Sequence, residues 1–199
     1  MNLKKLRTLT ALGASTLVLG GGIARADDVT DTIDEALEAY KDQDYSGAAD
    51  ALQAAAQMVR QKKAEGLTQF LPEAPDGWTA ADADSNATAG SFMGGTSAER
   101  EYTKDAASVK VQFITDSPML QSFMMMANMP MMAGGNDSKI ERIKRQKAIL
   151  KYDAGDQSGT INIVVDGKLL VQIEGNGVSN EELHTFAEAI NYKDLEDAL

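Results

Sequence analysis

The sequence predicts an α+β fold: an antiparallel sheet covered by helices and preceded by an N-terminal helical hairpin. Three observations carry that expectation. Apolar and polar residues alternate with period two in short runs between positions 99 and 174, which is the strand signal. Asp166-Gly167 separates two of those runs, and this dipeptide is the strongest short-range mark of an antiparallel hairpin. Helical patterns stand before, within and after the strands, the order of an α+β sandwich.

Residues 1–26 have the make-up of an export signal. Lys4, Lys5 and Arg7 form a basic start, Leu9 to Ile23 is apolar, and Ala24-Arg25-Ala26 supplies a small-x-small cleavage site. The expected product is soluble and periplasmic, because no later apolar run reaches the ~20 residues of a spanning helix. Removing this piece, with its four bases and no acid, takes the net charge from −11 to −15. So acidic a chain is not expected to bind nucleic acid or anionic lipid in general. With no Cys it has no disulfide and no thiolate for catalysis or metal binding. The single His, His184, excludes a His-rich metal site and argues against a Ser-His-Asp device.

The hairpin is expected over residues 27–70. Ile33, Ala36, Leu37 and Tyr40 recur at helical spacing between Val29 and Tyr40. Asp28, Asp31, Asp34 and Glu35 crowd the first turns, where the helix dipole favours acids. After a turn at Lys41 to Asp44, a helix from Ser46 to Glu65 sets Ala49, Leu52, Ala56 and Val59 on one face. It ends on Arg60, Lys62 and Lys63, with Gly66 as its C′ residue. The stretch from Ala36 to Ala49 resembles the middle of a tetratricopeptide repeat. One such unit cannot bury its own face. The expectation is a hairpin docked on the following domain, with a partner-binding groove as the alternative.

Pro72, Pro75 and Gly77 break the helix, and Trp78, the only tryptophan, anchors a sandwich domain over 71–199. Strands are expected at Thr79–Asp84, Glu99–Thr103 and Ser108–Thr115, with a loop or irregular strand from Asn86 to Ser97. Ser117 and Pro118 match the N-cap and N1 of a helix that closes at Pro130 and Gly134-Gly135. Lys139–Lys144 and Lys147–Tyr152 read as strands turning near Arg145-Gln146, followed by Thr160–Val165 and Lys168–Glu174. A two-residue turn at Asp166-Gly167 would put Ile163 opposite Leu170 and split the apolar residues of this hairpin over both faces. Either a bulge shifts the register or both faces are covered, and Val164 and Leu170 favour the second. Ser179 and Glu182 form a capping-box pattern for a last helix with Leu183, Phe186, Ala187 and Ile190 as its buried stripe.

From Leu71 to Ile190 the order of features resembles the PsbP-like α/β/α sandwich. Pro72, Gly77 and Trp78 precede early strands, a helix interrupts the sheet at Pro118, and a long terminal hairpin leads to a closing helix with Glu181-Glu182-Leu183 and Phe186-Ala187. The whole is similar to exported proteobacterial proteins that pair a short helical hairpin with such a domain. The resemblance implies a non-enzymatic accessory module that attaches to larger membrane complexes or binds a small apolar ligand.

Seven of the ten methionines fall within residues 119–132, with no charge among them. Thioethers are soft and polarizable, so the run suits a core, an adaptable docking surface or Cu(I). Leu120, Phe123 and Ala127 among them favour a helix covering the sheet. Met124, Met125 and Met126 span most of a turn and cannot all face one sheet, so at least one points outward or into a pocket. The candidate binding residues are therefore Met119, Met124, Met125, Met126, Met129, Met131 and Met132, contacting a protein or apolar ligand in the cell envelope. No cofactor is expected. The alternative is a Cu(I) carrier using Met119, Met125, Met126 and Met129, in which Met125 and Met129 share a helix face at i, i+4 and Met119 and Met126 share one at heptad spacing. Lys139, Arg142, Lys144, Arg145 and Lys147 surround a single Glu141. They are either the protective charges of an edge strand or a basic surface for an anionic partner.

Enzyme signatures are missing from the sequence: no Gly-x-Ser-x-Gly elbow, phosphate loop or dinucleotide fingerprint occurs. The acidic start of the chain lacks the glycine-bearing loop of an EF-hand. His184, one position off the apolar stripe, reads as a surface histidine. The expected function is a periplasmic, non-enzymatic binding or accessory module built on the Met-rich helix and the basic strands beside it.

Overall fold

In a computed structural model of the chain, which describes residues 28–88, 95–128 and 138–199, the alternating segments pair into one antiparallel sheet of eight strands among the described residues. The architecture is α+β. Helices α1 (Asp28–Lys41) and α2 (Tyr45–Leu67) form the hairpin, and a single 3-10 turn (Thr68–Phe70) follows. The strands are β1 (Thr79–Ala80), β2 (Asp84–Thr88), β3 (Gly95–Lys104), β4 (Ala107–Thr115), β5 (Ser138–Ile143), β6 (Gln146–Asp153), β7 (Ser158–Val165) and β8 (Leu169–Asn176). Helix α3 (Pro118–Asn128) stands between β4 and β5, while α4 (Asn180–Ala189) and α5 (Tyr192–Asp197) close the chain. Strands β1 and β2 share one edge of β3, after which the order is β3-β4-β8-β7-β6-β5. The expected export signal, residues 1–26, lies outside the described residues.

Cross-strand partners share a face of the sheet, so the register sorts the side chains. Ala98↔Phe113, Val111↔Ile173, Ile173↔Ile161 and Ile161↔Leu150 put one apolar layer on one side. It is buried under α4 and α5, whose Leu183, Phe186, Ile190 and Leu195 are fully buried in the same core. Trp78 packs edge-on against Phe186 at 5.0 Å, and Tyr102 lies 4.8 Å from the same ring. The Tyr102 hydroxyl donates to the Pro72 carbonyl at 2.6 Å, which ties the linker to the sheet. Burial pushes the Tyr102 phenol up to about 12, although Arg100 beside it pulls the other way. The cross-strand pair Gly159↔Gly175 lies directly under Leu183. A methyl on Gly175 would lie 2.5 Å from Val178 and 2.7 Å from Leu183, so the glycine is what lets α4 approach.

Two local expectations hold to the atom. Ser179 Oγ accepts the Glu182 N–H at 3.2 Å while the Glu182 carboxylate accepts the Ser179 N–H at 2.9 Å, a complete capping box. Ser117 Oγ accepts the Met119 N–H at 3.2 Å at the start of α3, with Pro118 as the first helical residue.

The β7–β8 hairpin corrects the expected register. Asp166 (φ 48°) and Gly167 (φ 68°) have the two positive φ values of a type I′ turn, and the Lys168 N–H donates to the Val165 carbonyl at 3.1 Å. The ladder, however, resumes at Val165↔Leu169, leaving Lys168 as an extra residue. That one-residue shift aligns Ile163 with Val171 and gathers Ile161, Ile163, Val165, Leu169, Val171 and Ile173 on one face. Val164 and Leu170 pair on the other face, where Leu170 is buried with Ile114 and Leu120 of α3. Smaller departures are that Gly66 is inside α2 rather than beyond it, that β5 and β6 turn at Lys144-Arg145, that Asp84–Thr88 is a strand of its own, and that α5 had no sequence signal assigned to it.

The hairpin docks through α2. Gln57 donates to the Ala87 carbonyl of β2, Gln61 reaches Ser85 at 3.4 Å, and Lys63 pairs with Asp116 at 2.8 Å. Ala36, Ala48 and Ala55 are buried, and Thr32 contacts Met58 at 3.7 Å across the two helices. Of the residues that the pattern set at helical spacing, Ile33, Leu37, Tyr40, Leu52 and Val59 are exposed.

Candidate functional site

Helix α3 starts where β4 ends, and the switch is made at Asp116. Its φ of 59° is left-handed, a conformation Asp tolerates better than most residues. The turn aims the carboxylate at Lys63 of α2 (2.8 Å) and lets Thr115 Oγ1 donate to it at 3.1 Å. The hydrogen bond from Lys63 holds the Asp116 carboxyl below its ordinary range, against the opposing effect of partial burial.

Behind this ion pair lies a cleft of about 690 Å³, between the end of α2, helix α3, the β7–β8 turn and Leu199. Pro118, Leu120, Met124 and Leu199 give it apolar lining, and Lys63, Asp116 and Lys168 line it with charge. Lys168 is itself paired with Asp166 at 2.8 Å. The charges cancel in pairs, and Ser117 and Gln121 add neutral polar groups, so the wall is mixed and carries little net charge. Its volume lies within the range of small-molecule sites.

The structure separates the seven candidate methionines. Met124 lines the cleft, close enough to Gly167 that a side chain there would meet its Sδ at 3.6 Å. Met119 is half-buried and Met125 is 59% exposed, so the helix presents methionine both inward and outward. Of Met126 only the backbone is described. Met129, Met131 and Met132 lie outside the described residues. Three partners of Met124 at this cleft, namely Lys63, Asp116 and Lys168, escaped sequence reasoning because they come from separate elements. The Asp116-Ser117-Pro118 helix start was the available local signal.

The five basic candidates do not converge. Arg142 and Lys147 are direct cross-strand partners on the sheet face of Ile149 and Ile140, both exposed. Lys139 aligns with Leu150 on the opposite face and reaches Glu141 at 3.5 Å. Lys144 and Arg145 make the turn, both with positive φ, and Lys144 Nζ donates to the Ile190 carbonyl at 3.3 Å.

His184 is not the free surface histidine the sequence suggested. Its Nε2 meets a Glu141 carboxylate oxygen at 2.5 Å and its Nδ1 faces the Asn180 carbonyl at 2.8 Å, so both ring nitrogens point at acceptors. Burial lowers the imidazole pKa, but the hydrogen bonds to Asn180 and Glu141 outweigh it, and the net shift is upward. The arrangement clamps α4 to the edge strand β5. Among the described residues no group of three His, Asp or Glu side chains could hold a metal ion. No helix among them is long and apolar enough to cross a membrane.

No protein-family model matches the chain, and neither the curated proteins nor the solved structures contain a match to it.

Proposed function

We propose that this chain is a non-enzymatic accessory or binding module of the bacterial periplasm, and that the cleft beside the Met-rich helix takes an apolar ligand. The observation that carries this reading is Met124 lining a cleft of about 690 Å³ together with Leu120, Pro118 and Leu199. An unbranched thioether in such a wall adapts to ligands of differing shape. The Lys63–Asp116 pair in the lining offers a donor and an acceptor for a polar end. The resemblance of residues 71–190 to PsbP-like sandwiches, and the export signal read in residues 1–26, are in keeping with an accessory role outside the cytoplasm.

Displacement of a fluorescent naphthalene-sulfonate probe by a medium-chain fatty acid tests it. Met124→Asp, with its fold checked by circular dichroism, is expected to weaken binding at least about tenfold, the equivalent of ~1.4 kcal/mol. Binding that Met124→Asp leaves untouched, or no binding at all, refutes the reading. For the Cu(I) alternative, Met119 and Met125, six residues apart, lie on different sides of the same helix, one half-buried and the other exposed.

A further inference from the structure

All but one of the exposed large apolar residues among those described lie on the hairpin: Ile33, Leu37, Tyr40, Tyr45, Leu52 and Val59, between 44% and 63% exposed. The remaining one is Met125. The six are ordered. Ile33, Leu37 and Tyr40 on α1, and Tyr45, Ala49, Leu52, Ala56 and Val59 on α2, repeat at alternating spacings of four and three, the heptad pattern of a seam that packs against another helix. Both stripes are rotated in the same sense from the alanine seam where α1 and α2 touch, which in antiparallel helices puts them on one side. Tyr40 and Tyr45, one from each stripe, meet edge-on at 5.7 Å. The docking residues Gln57 and Gln61 point away from the stripe, and Lys63, the next step along it after Val59, pairs with Asp116 and ends the ridge there.

We infer that this ridge is a self-association surface, on which a second copy of the chain seats its own hairpin to form an antiparallel four-helix bundle. Two features favour a second copy over an unrelated helix. First, the charges complement one another. The Thr32–Met58 contact sets the acidic start of α1 (Asp28, Asp31, Asp34) level with the basic end of α2, where Arg60 and Lys62 lie just before the Lys63 that pairs with Asp116. A twofold axis parallel to the helices lays α1 of one copy antiparallel on α2 of the other, and so brings acidic end to basic end twice. Second, the large residues of α1 then face a stripe in which Ala49 and Ala56 alternate with Tyr45, Leu52 and Val59, the large-against-small arrangement that lets layers interdigitate.

The ridge is ~21 Å long from Tyr45 to Val59 at ~1.5 Å per residue, and ~20 Å wide for two helices ~8–10 Å apart. Its footprint of ~400 Å² per copy is about half that of a standard stable interface. The dimer is accordingly reversible, not obligate.

Equilibrium sedimentation of the purified chain, from micromolar to near-millimolar concentration, is the test. A concentration-dependent monomer–dimer transition is expected. Leu37→Glu and Leu52→Glu, both at exposed positions, each raise the dissociation constant at least about tenfold. Lys193→Glu on α5 leaves it unchanged. A chain that stays monomeric at near-millimolar concentration overturns the inference, even if the ridge then holds a helix of another protein. So does a dimer indifferent to both glutamates. Neither result bears on the cleft, whose ligand assay reads a different surface.

Discussion

Replacing Phe186 by alanine removes the ring on which the linker and the closing helix meet. Phe186 is fully buried and touches both Trp78 and Tyr102 at centroid distances near 5 Å. Truncating a buried Phe costs ~3–5 kcal/mol, and at least the middle of that range is expected here because aromatic pairs add ~0.5–1.5 kcal/mol each beyond buried area. A loss of ~4 kcal/mol is a large part of the ~5–15 kcal/mol that keeps a domain folded. For a chain of this size it lowers the melting temperature by ~8–16 °C. Phe186→Leu keeps most of the volume but neither ring contact, and falls roughly midway. Thermal and urea unfolding followed by circular dichroism gives the loss, and the emission of the single Trp78 reports the linker. A loss below ~2 kcal/mol in Phe186→Ala, or unchanged Trp78 emission, would show that the linker is not anchored there.

The His184–Glu141 clamp makes stability depend on pH with a definite sign. The folded imidazole has its pKa raised above its unfolded value, near 6.5. Its contribution is therefore complete below about pH 6.5 and fades as pH rises through the folded value. His184→Gln should remove that dependence, so wild type and variant unfold at more similar denaturant concentrations in mildly alkaline buffer than in mildly acidic buffer, and equal gaps at both refute the clamp. For the alternative ligand, Cu(I) titrated under reducing conditions should bind at micromolar concentration or tighter and weaken in a Met125→Leu/Met129→Leu double variant. Absence of either effect removes copper.

What was legible in the sequence was local. The capping box at Ser179 and Glu182, the Ser117-Pro118 helix start and the apolar stripe of α4 each depend on residues within a few positions of one another, and each stands as expected. The β7–β8 register was not settled, because a single extra residue at Lys168 reverses every facing and leaves no compositional mark. The hairpin stripes were visible, but their destination was not. Heptad spacing is the same whether the partner helix belongs to the core or lies outside it. Docking instead rests on Gln57, Gln61 and Lys63, polar residues that periodicity ignores. His184 and Glu141 lie 43 positions apart, and the cleft of Met124 draws on four separate segments, so neither constellation has a local signature.

The sheet order has a consequence for how the chain is made. Strands β3 and β4 are neighbours in sequence, yet the other side of β4 is filled by β8, in register from Ser108↔Asn176 to Thr115↔Leu169. Until residue 176 has left the ribosome or a translocation channel, β4 is an open edge of alternating apolar residues able to template a wrong pairing. Closure therefore waits for nearly the whole chain, and the last strand to arrive becomes one of the most central. Long-range pairing of this kind is slow. A nascent chain of this protein has reason to be held by a chaperone until β8 is available.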